Sequence, residues 1–425
     1  MTINLLNIGC FKNLVDSERL MRVLDDAGFN VQFGNLRGSA DIGIINTCGF
    51  IGEAEDESLT AIRKYAAYKA EGNLGELWIM GCYSEKFGQK LYSLVPEIDR
   101  IFGNFDWEDM PRALGLSLSV GMKRFLTTPS HYAFVKISEG CNQPCSYCIK
   151  PILNGPLKSV PIEDVLQECH WLVSQGVKEI QLVAQNLTAY GQDIYGHKRI
   201  ADLVSRISDM AGIEWIRLHY GYPSGFPFDL LDVIRDRDNV CNYLDMAIQH
   251  SETKMLKLMR RGMTKESLTE LIAHIRASVP GIYLRTTVMV GHPSETEEDY
   301  ENLITFLEQE RFERLGVFRY SHQSGSYAAA NYIDSITAET KKKRALAIIE
   351  LQNKIYQEQS ISTIGKTDKV IIDQHKDGTY IGRSQYSTPM ADPFVMIPDS
   401  IDLEIGQFYQ VKYTGYSGHN MQAEI

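Results

Sequence analysis

The stretch Glu139-Gly140-Cys141-Asn142-Gln143-Pro144-Cys145-Ser146-Tyr147-Cys148-Ile149-Lys150 sets three cysteines at C-x3-C-x2-C. Three thiolates at that spacing can hold three irons of a four-iron cluster and leave the fourth iron without a protein ligand. The other reading is a structural zinc knuckle, but zinc sites usually pair C-x2-C with a second such pair or with histidines. No matching pair follows Cys148 nearby. Three more cysteines, Cys10, Cys48 and Cys82, each stand just after a short apolar run: Asn4–Ile8, Asp41–Asn46 and Glu76–Met80. If these runs are strands of one open parallel sheet, the thiols meet at its carboxyl edge, where such sheets bind ligands. Three buried free thiols are the alternative, since cysteine often serves as a small hydrophobe. The repeated placement favours a second cluster. Cys169 and Cys241 have no ligand-spaced partner and are expected to be inert.

The elements that position these cysteines can be read in outline. Between the first three runs lie helical patterns, about Asp16 to Ala27 and Glu53 to Ala70, as an alternating α/β sheet requires. Periodicity fades from Asp109 to Pro129, which reads as a linker. Six further strands are expected at Tyr132–Ser138, Glu179–Ala184, Trp215–His219, Tyr243–Ile248, Leu284–Val290 and Leu315–Tyr320, with helices between them. Six such units make an incomplete (β/α) barrel, with its chemistry at the carboxyl ends of the strands. The C-x3-C-x2-C loop follows the first of them.

A long helix is expected from about Ala338 to Gln359. Its Lys341-Lys342-Lys343-Arg344 run reads as a solvated face, with an RNA contact as the alternative. Short strands follow at Val370–Asp373, Thr379–Ser384, Val395–Ile397 and Tyr409–Tyr413, a small antiparallel β-barrel of a kind that often binds an extended polymer. The domains are therefore drawn at 1–125, 126–360 and 361–425.

At 425 residues, 44% hydrophobic and 23% charged, the chain has the composition of an ordinary multidomain soluble protein. It has no apolar run of about 18 residues to span a membrane, and its first residues form no signal peptide. Eight cysteines in a long chain suit a reducing compartment. A formal net charge of −11 argues against nucleic-acid binding through a broad basic surface, though not against a local basic groove. Residues 361–425 themselves hold five basic and eight acidic side chains. Such an acidic barrel suits a basic partner better than a phosphate backbone.

Several residues are placed to serve a ligand of the open iron. Tyr147 can border that ligand or be a core aromatic. Gln185 and Asn186 end the second barrel strand, unless they only make a turn. Gly291, where a strand passes into a helix, can let backbone approach a nucleotide, and Ser294 can cap the next helix. Arg285 offers a bidentate fork to a carboxylate. Lys150 reads as a solvent or backbone contact.

The cysteine loop, with an aromatic before its last cysteine, resembles the radical S-adenosylmethionine (SAM) enzymes, whose open iron binds SAM and cleaves it reductively. With both triplets placed, essentially the whole chain resembles the methylthiotransferase family. That resemblance implies an N-terminal three-cysteine domain, a radical SAM domain and a C-terminal TRAM domain. It also implies two 4Fe-4S clusters, a first SAM cleaved to a deoxyadenosyl radical at the Cys141/Cys145/Cys148 cluster, and a second SAM donating methyl. Sulfur is then supplied at the Cys10/Cys48/Cys82 cluster. Within the family, the segment Gly9-Cys10-Phe11-Lys12-Asn13-Leu14-Val15-Asp16-Ser17-Glu18 resembles the protein-modifying branch. So does Gly382-Arg383-Ser384-Gln385-Tyr386, with Pro389 and Asp392 beyond. For that branch the implied reaction adds a methylthio group to the β-carbon of an aspartate in ribosomal protein S-twelve. A flavodoxin- or ferredoxin-like reductant, a sulfur donor and a cytoplasmic location are implied too, and tRNA is not an expected partner. Two departures stand out, Ile149-Lys150-Pro151 after the cysteine loop and Gly291-His292-Pro293-Ser294. Methylthiolation of a hypermodified adenosine beside the tRNA anticodon and a non-catalytic iron–sulfur scaffold are the competing readings.

Overall fold

The computed structural model describes residues 1–50, 52–117 and 121–425. The first sheet holds β1 (Thr2–Asn7), β2 (Asn30–Phe33), β3 (Ala40–Thr47), β4 (Leu74–Gly81) and β5 (Arg100–Ile101), in the order β2-β1-β3-β4-β5. All its pairs are parallel, and Asn7 stands beside Asn46 as Thr47 stands beside Gly81. The three central strands therefore end level. Helices α1 (Phe11–Asp26) and α2 (Gly52–Ala70) start soon after β1 and β3 and pack against the sheet. The edge strands β2 and β5 were not expected from sequence. They are four and two residues long and keep solvent contact, so they carry little apolar pattern.

The second sheet is an open six-stranded parallel array. It begins with β6 (Tyr132–Lys136). A short antiparallel pair, β7 (Ser138–Glu139) with β8 (Lys158–Ser159), then clamps the base of the cysteine loop. The array continues with β9 (Glu179–Val183), β10 (Trp215–Gly221), β11 (Val240–Met246), β12 (Tyr283–Val290) and β13 (Arg314–Arg319). Each lies close to its expected span: β6 and β9 are buried on both faces, as parallel strands often are, whereas β12 alternates between buried and half-buried positions. Cys241 lies inside β11 rather than before it. The helix after β12 is capped by Thr296, whose side chain accepts from Asp299 N, and not by Ser294.

The third sheet is a closed barrel of β14 (Thr367–Lys376), β15 (Thr379–Ser384), β16 (Val395–Pro398), β17 (Phe408–Ser417) and β18 (Asn420–Glu424). It is antiparallel except where β18 closes onto β16 in parallel. This barrel stoppers the amino ends of the six-stranded array. Phe408 packs edge-on against Trp215, the first residue of β10, at 4.8 Å. Arg383 Nη2 donates to Glu179 Oε2 at 2.7 Å, and Arg217 Nε donates to Glu179 Oε1 at 3.0 Å. Arg383 also reaches Asp373 Oδ1 at 2.9 Å, and His131 pairs with the same carboxylate at 2.8 Å.

Two expectations from sequence change. The linker is not loose at its carboxyl end: buried Arg124 lies 3.4 Å from both Glu18 and Glu168, and Phe125 N donates to Glu18 O. Residues 118–120 of that linker lie outside the described residues. The basic run is not a uniform solvated face either. Lys341 is buried on Asp334, and Arg344 is buried on Glu295 and Glu297, which leaves only Lys342 and Lys343 outside.

Candidate functional site

The loop from Cys141 to Cys148 is held by contacts that shape it for sulfur. Gly140 has φ +70°, and a Cβ there would strike the carbonyl of Pro156, so the chain can enter the loop only through glycine. Gln143 N donates to Cys141 Sγ and Lys150 N donates to Cys148 Sγ, each at 3.4 Å. Arg261 Nη1 lies 3.3 Å from Cys145 Sγ and also reaches the Tyr147 hydroxyl. Donors aimed at sulfur favour thiolate over thiol. Against them, burial pushes the Cys148 thiol up to about 11 and raises that of Cys141.

The second triplet sits on the level strand ends of the first sheet. Cys10 caps α1, Cys48 follows β3, and Cys82 opens the helix after β4. Asn13 fixes the start of α1, donating to Asn46 Oδ1 at 2.9 Å and accepting from Asn46 Nδ2 at 2.9 Å. Asn104 Nδ2 lies 3.5 Å from Cys82 Sγ and donates to Leu153 O at 2.9 Å, tying this sheet to the end of the other cysteine loop. Burial pushes Cys82 up to about 11 and raises Cys48. The crowded surroundings oppose ionisation of Cys10 as well, but the Lys12 and Lys150 ammoniums outweigh them and lower it.

The two triplets face each other across one junction. Lys150 turns to the N-terminal sheet, with Nζ 4.3 Å from the ring centre of Phe50. Phe11 stacks on Phe134 of β6 at 4.1 Å with the rings 9° apart. Lys136, on the same strand, pairs with Asp16 of α1 and with Glu139. Among the described residues no three Cys, His, Asp or Glu side chains converge on a point for a single metal ion. Two all-cysteine sets, each with nitrogen donors on sulfur, fit iron–sulfur clusters by their donor chemistry.

Three family models match the chain: "Uncharacterized protein family UPF0004" over residues 2–103, "Radical SAM superfamily" over 135–307 and "TRAM domain" over 364–425. Proteins named ribosomal protein uS12 methylthiotransferase RimO match it end to end. The one from Bacteroides thetaiotaomicron is 48% identical, over 100% of this chain and 98% of the relative. The one from Porphyromonas gingivalis is 46% identical over 100% and 98%, and that from Cytophaga hutchinsonii 40% identical over 100% and 97%. The chain belongs to the RimO methylthiotransferase family. Among solved structures, the radical SAM methyltransferase TsrM from Kitasatospora setae aligns with TM-score 0.56 at 14% identity, over 77% of each chain. The cobalamin-dependent SAM radical enzyme OxsB aligns at 0.53 and 12%, over 83% of this chain and 56% of the other. At such identities the likeness concerns the fold alone.

In this RimO-family chain the residues expected to serve the open iron fall into two groups. Tyr147 is buried directly under the cysteine loop, in a cluster with Met255, Met259, Tyr320 and Ala328 that Cys145 and Cys148 adjoin. Gln185 donates to Glu139, at the foot of the loop, and buried Asn186 accepts from Thr188 Oγ1 at 2.8 Å. Gly291 lies at the carboxyl end of β12 with φ +73°, but the space over its backbone is filled by the Lys341 side chain. Arg285 is the residue that the structure does not bring to the loop. It lies five residues before Val290, about 16 Å down the strand. Its guanidinium is paired with Asp392 of the C-terminal barrel. The sequence reading missed Lys12, Asn13, Asn104, Arg261 and Tyr222, whose hydroxyl lies 3.6 Å from Cys145 Sγ. Only Arg261 carried a visible signal, as part of Arg260-Arg261-Gly262 just after a helix.

Proposed function

We propose that this protein is a radical SAM methylthiotransferase that adds a methylthio group to the β-carbon of an aspartate in ribosomal protein uS12. The observation that carries the reading is end-to-end similarity, at up to 48% identity, to relatives of that name. The two facing cysteine triplets support it. The working units are residues 1–125, 126–360 and 361–425. Cys141, Cys145 and Cys148 ligate one 4Fe-4S cluster, and Cys10, Cys48 and Cys82 the other. Tyr147, Gln185 and Asn186 border the SAM bound at the first, while Lys341 covers the backbone at Gly291. When bound, these groups supply the radical, the sulfur and the methyl group.

The chain's own part is to hold geometry. Phe11 on Phe134 and Lys136 between Asp16 and Glu139 lock α1 to β6, so the two triplets keep a set spacing. Arg261 orients Tyr147 and Cys145 together. The C-terminal barrel closes the amino ends of the array, so access to the reacting groups is from the cysteine side. Its Arg383 is buried in the junction, but the carboxylates of Asp373 and Asp392 are taken up there too, and the outer surface stays acidic on balance. Asp399, Asp402 and Glu404 lie on that surface, which suits a basic ribosomal protein better than tRNA. A flavodoxin- or ferredoxin-like reductant and a sulfur donor complete the reaction, in the cytoplasm. Among the described residues no helix is long and apolar enough to cross a membrane.

The test is anaerobic reconstitution followed by mass spectrometry of uS12 and bulk tRNA incubated side by side with reductant, sulfide and SAM. One methylthio group on an aspartate of uS12 and none on tRNA is the expected result. The reverse outcome assigns the tRNA activity instead.

A further inference from the structure

Lys12 is the second residue of α1 and is 5% exposed. Among the described residues its ammonium makes no ion pair or hydrogen bond, and the carboxylate that acts on it through space, Glu139, is already paired with Lys136. Its recorded neighbour is the ring of Tyr220, 5.5 Å away, near the carboxyl end of β10. Lys150, half-buried on the facing loop, likewise has an aromatic ring and no acid. Lys136 shows how this junction treats a cation it needs only for structure, since that ammonium sits between two carboxylates. A buried ammonium without a counter-charge is strongly disfavoured, and two that face each other across a junction are more so. Two ammoniums placed in this way suit a bound anion. It must be short, because the Phe11–Phe134 stack and the paired Lys136 close the same junction.

We propose that Lys12, assisted by Lys150, forms a seat for the carboxylate of the substrate's aspartate side chain, holding its β-carbon between the two cysteine triplets. The proposal rests on the uS12-aspartate reading above and adds the residue that recognises the acid. Lys12 serves this role better than that of a counter-ion to sulfur alone, because its head lies over Tyr220 at the barrel mouth rather than hydrogen-bonded to any thiol. The seat makes aspartate preferred over asparagine: an amide of the same shape brings no charge to the two ammoniums.

The experiment measures binding without turnover. Anaerobically reconstituted enzyme, without reductant, is titrated with a fluorescent uS12 peptide bearing the target aspartate and with its asparagine isostere. Wild type is expected to prefer the aspartate peptide by about tenfold to a hundredfold, the range of a charge-assisted hydrogen bond. Lys12→Met should bring aspartate binding down to the asparagine level and leave asparagine binding and iron content unchanged. Lys12→Arg should keep most of the preference, and Lys150→Met should lose part of it. An unaltered preference in Lys12→Met and Lys150→Met, with wild type still choosing aspartate, overturns the seat alone. Loss of iron in both Met variants with the preference intact assigns the lysines to the clusters and overturns it equally. A wild type that binds neither peptide overturns the substrate reading and the seat with it.

Discussion

The two ends of the six-stranded array carry the same kinds of side chain in opposite states. At the amino ends Glu179 lies between Arg217 and Arg383, and Arg383 also holds Asp373, which pairs with His131. Acids and bases there are matched across the seam between two domains. At the carboxyl ends Lys136 is matched, while Lys12 and Lys150 face each other beside six thiols and, among the described residues, neither makes an ion pair. Paired charge is how a fold fastens one part to another. Unpaired buried charge is costly and persists where a ligand completes it.

The contrast can be broken most severely at the thiols. Replacing Cys141, Cys145 and Cys148 together by Ala should abolish deoxyadenosine formation from SAM and remove half of about eight irons per chain. Replacing Cys10, Cys48 and Cys82 should remove the other half and leave some SAM cleavage. Iron analysis and chromatography of the products read both, and full iron in the second variant would refute the N-terminal cluster. At the opposite end, Arg383→Met leaves Glu179 with Arg217 alone and Asp373 with His131 alone, and should cost about 3 kcal/mol. Hydrogen exchange should show β14 to β18 losing protection while the iron content holds. An equal loss of iron would mean that the two ends are not independent.

Acid sharpens the contrast further. Burial pushes Glu179 and Asp373 up, but Arg383, with Arg217 for Glu179, more than offsets this and holds both below the usual carboxylate range. Their contribution is therefore complete above about pH 4.5 and is lost as pH falls through the lowered values. Proteolysis should find the C-terminal barrel loosening only in that acid window. Loosening at neutral pH would contradict the pairing. The smallest effect belongs to Arg285→Ala, which removes one contact to Asp392. SAM affinity by equilibrium titration should stay within about twofold, against the fork to the SAM carboxylate that its residue type suggested. A tenfold loss would return Arg285 to the cofactor.

What the sequence revealed follows the same division. The cysteines and the six central strands were legible because ligand spacing and short apolar or alternating runs are local signals. The partners of Arg285, Arg383 and Lys341 were not, because each is set by residues that lie in other elements. Asp392 is 107 positions from Arg285, and Glu179 is 204 from Arg383. Lys12 was hidden for the opposite reason, since a lysine in the first turn of a helix looks ordinary until its buried ammonium proves to make no ion pair among the described residues. Gly291 was legible as a special backbone position, but the side chain over it was not.

The stopper at the amino ends also sets a schedule for biosynthesis. The six strands leave the ribosome before any of β14 to β18, so Glu179 emerges long before Arg383 exists. At about 5–20 residues per second the last hundred residues take roughly 5–20 s to make. Through that interval the nascent array has a floor with Trp215 and Tyr243 uncovered, the sort of surface that chaperones hold. A chain halted before Thr367 should therefore remain chaperone-bound, and synthesis of the last small barrel is the event that releases it.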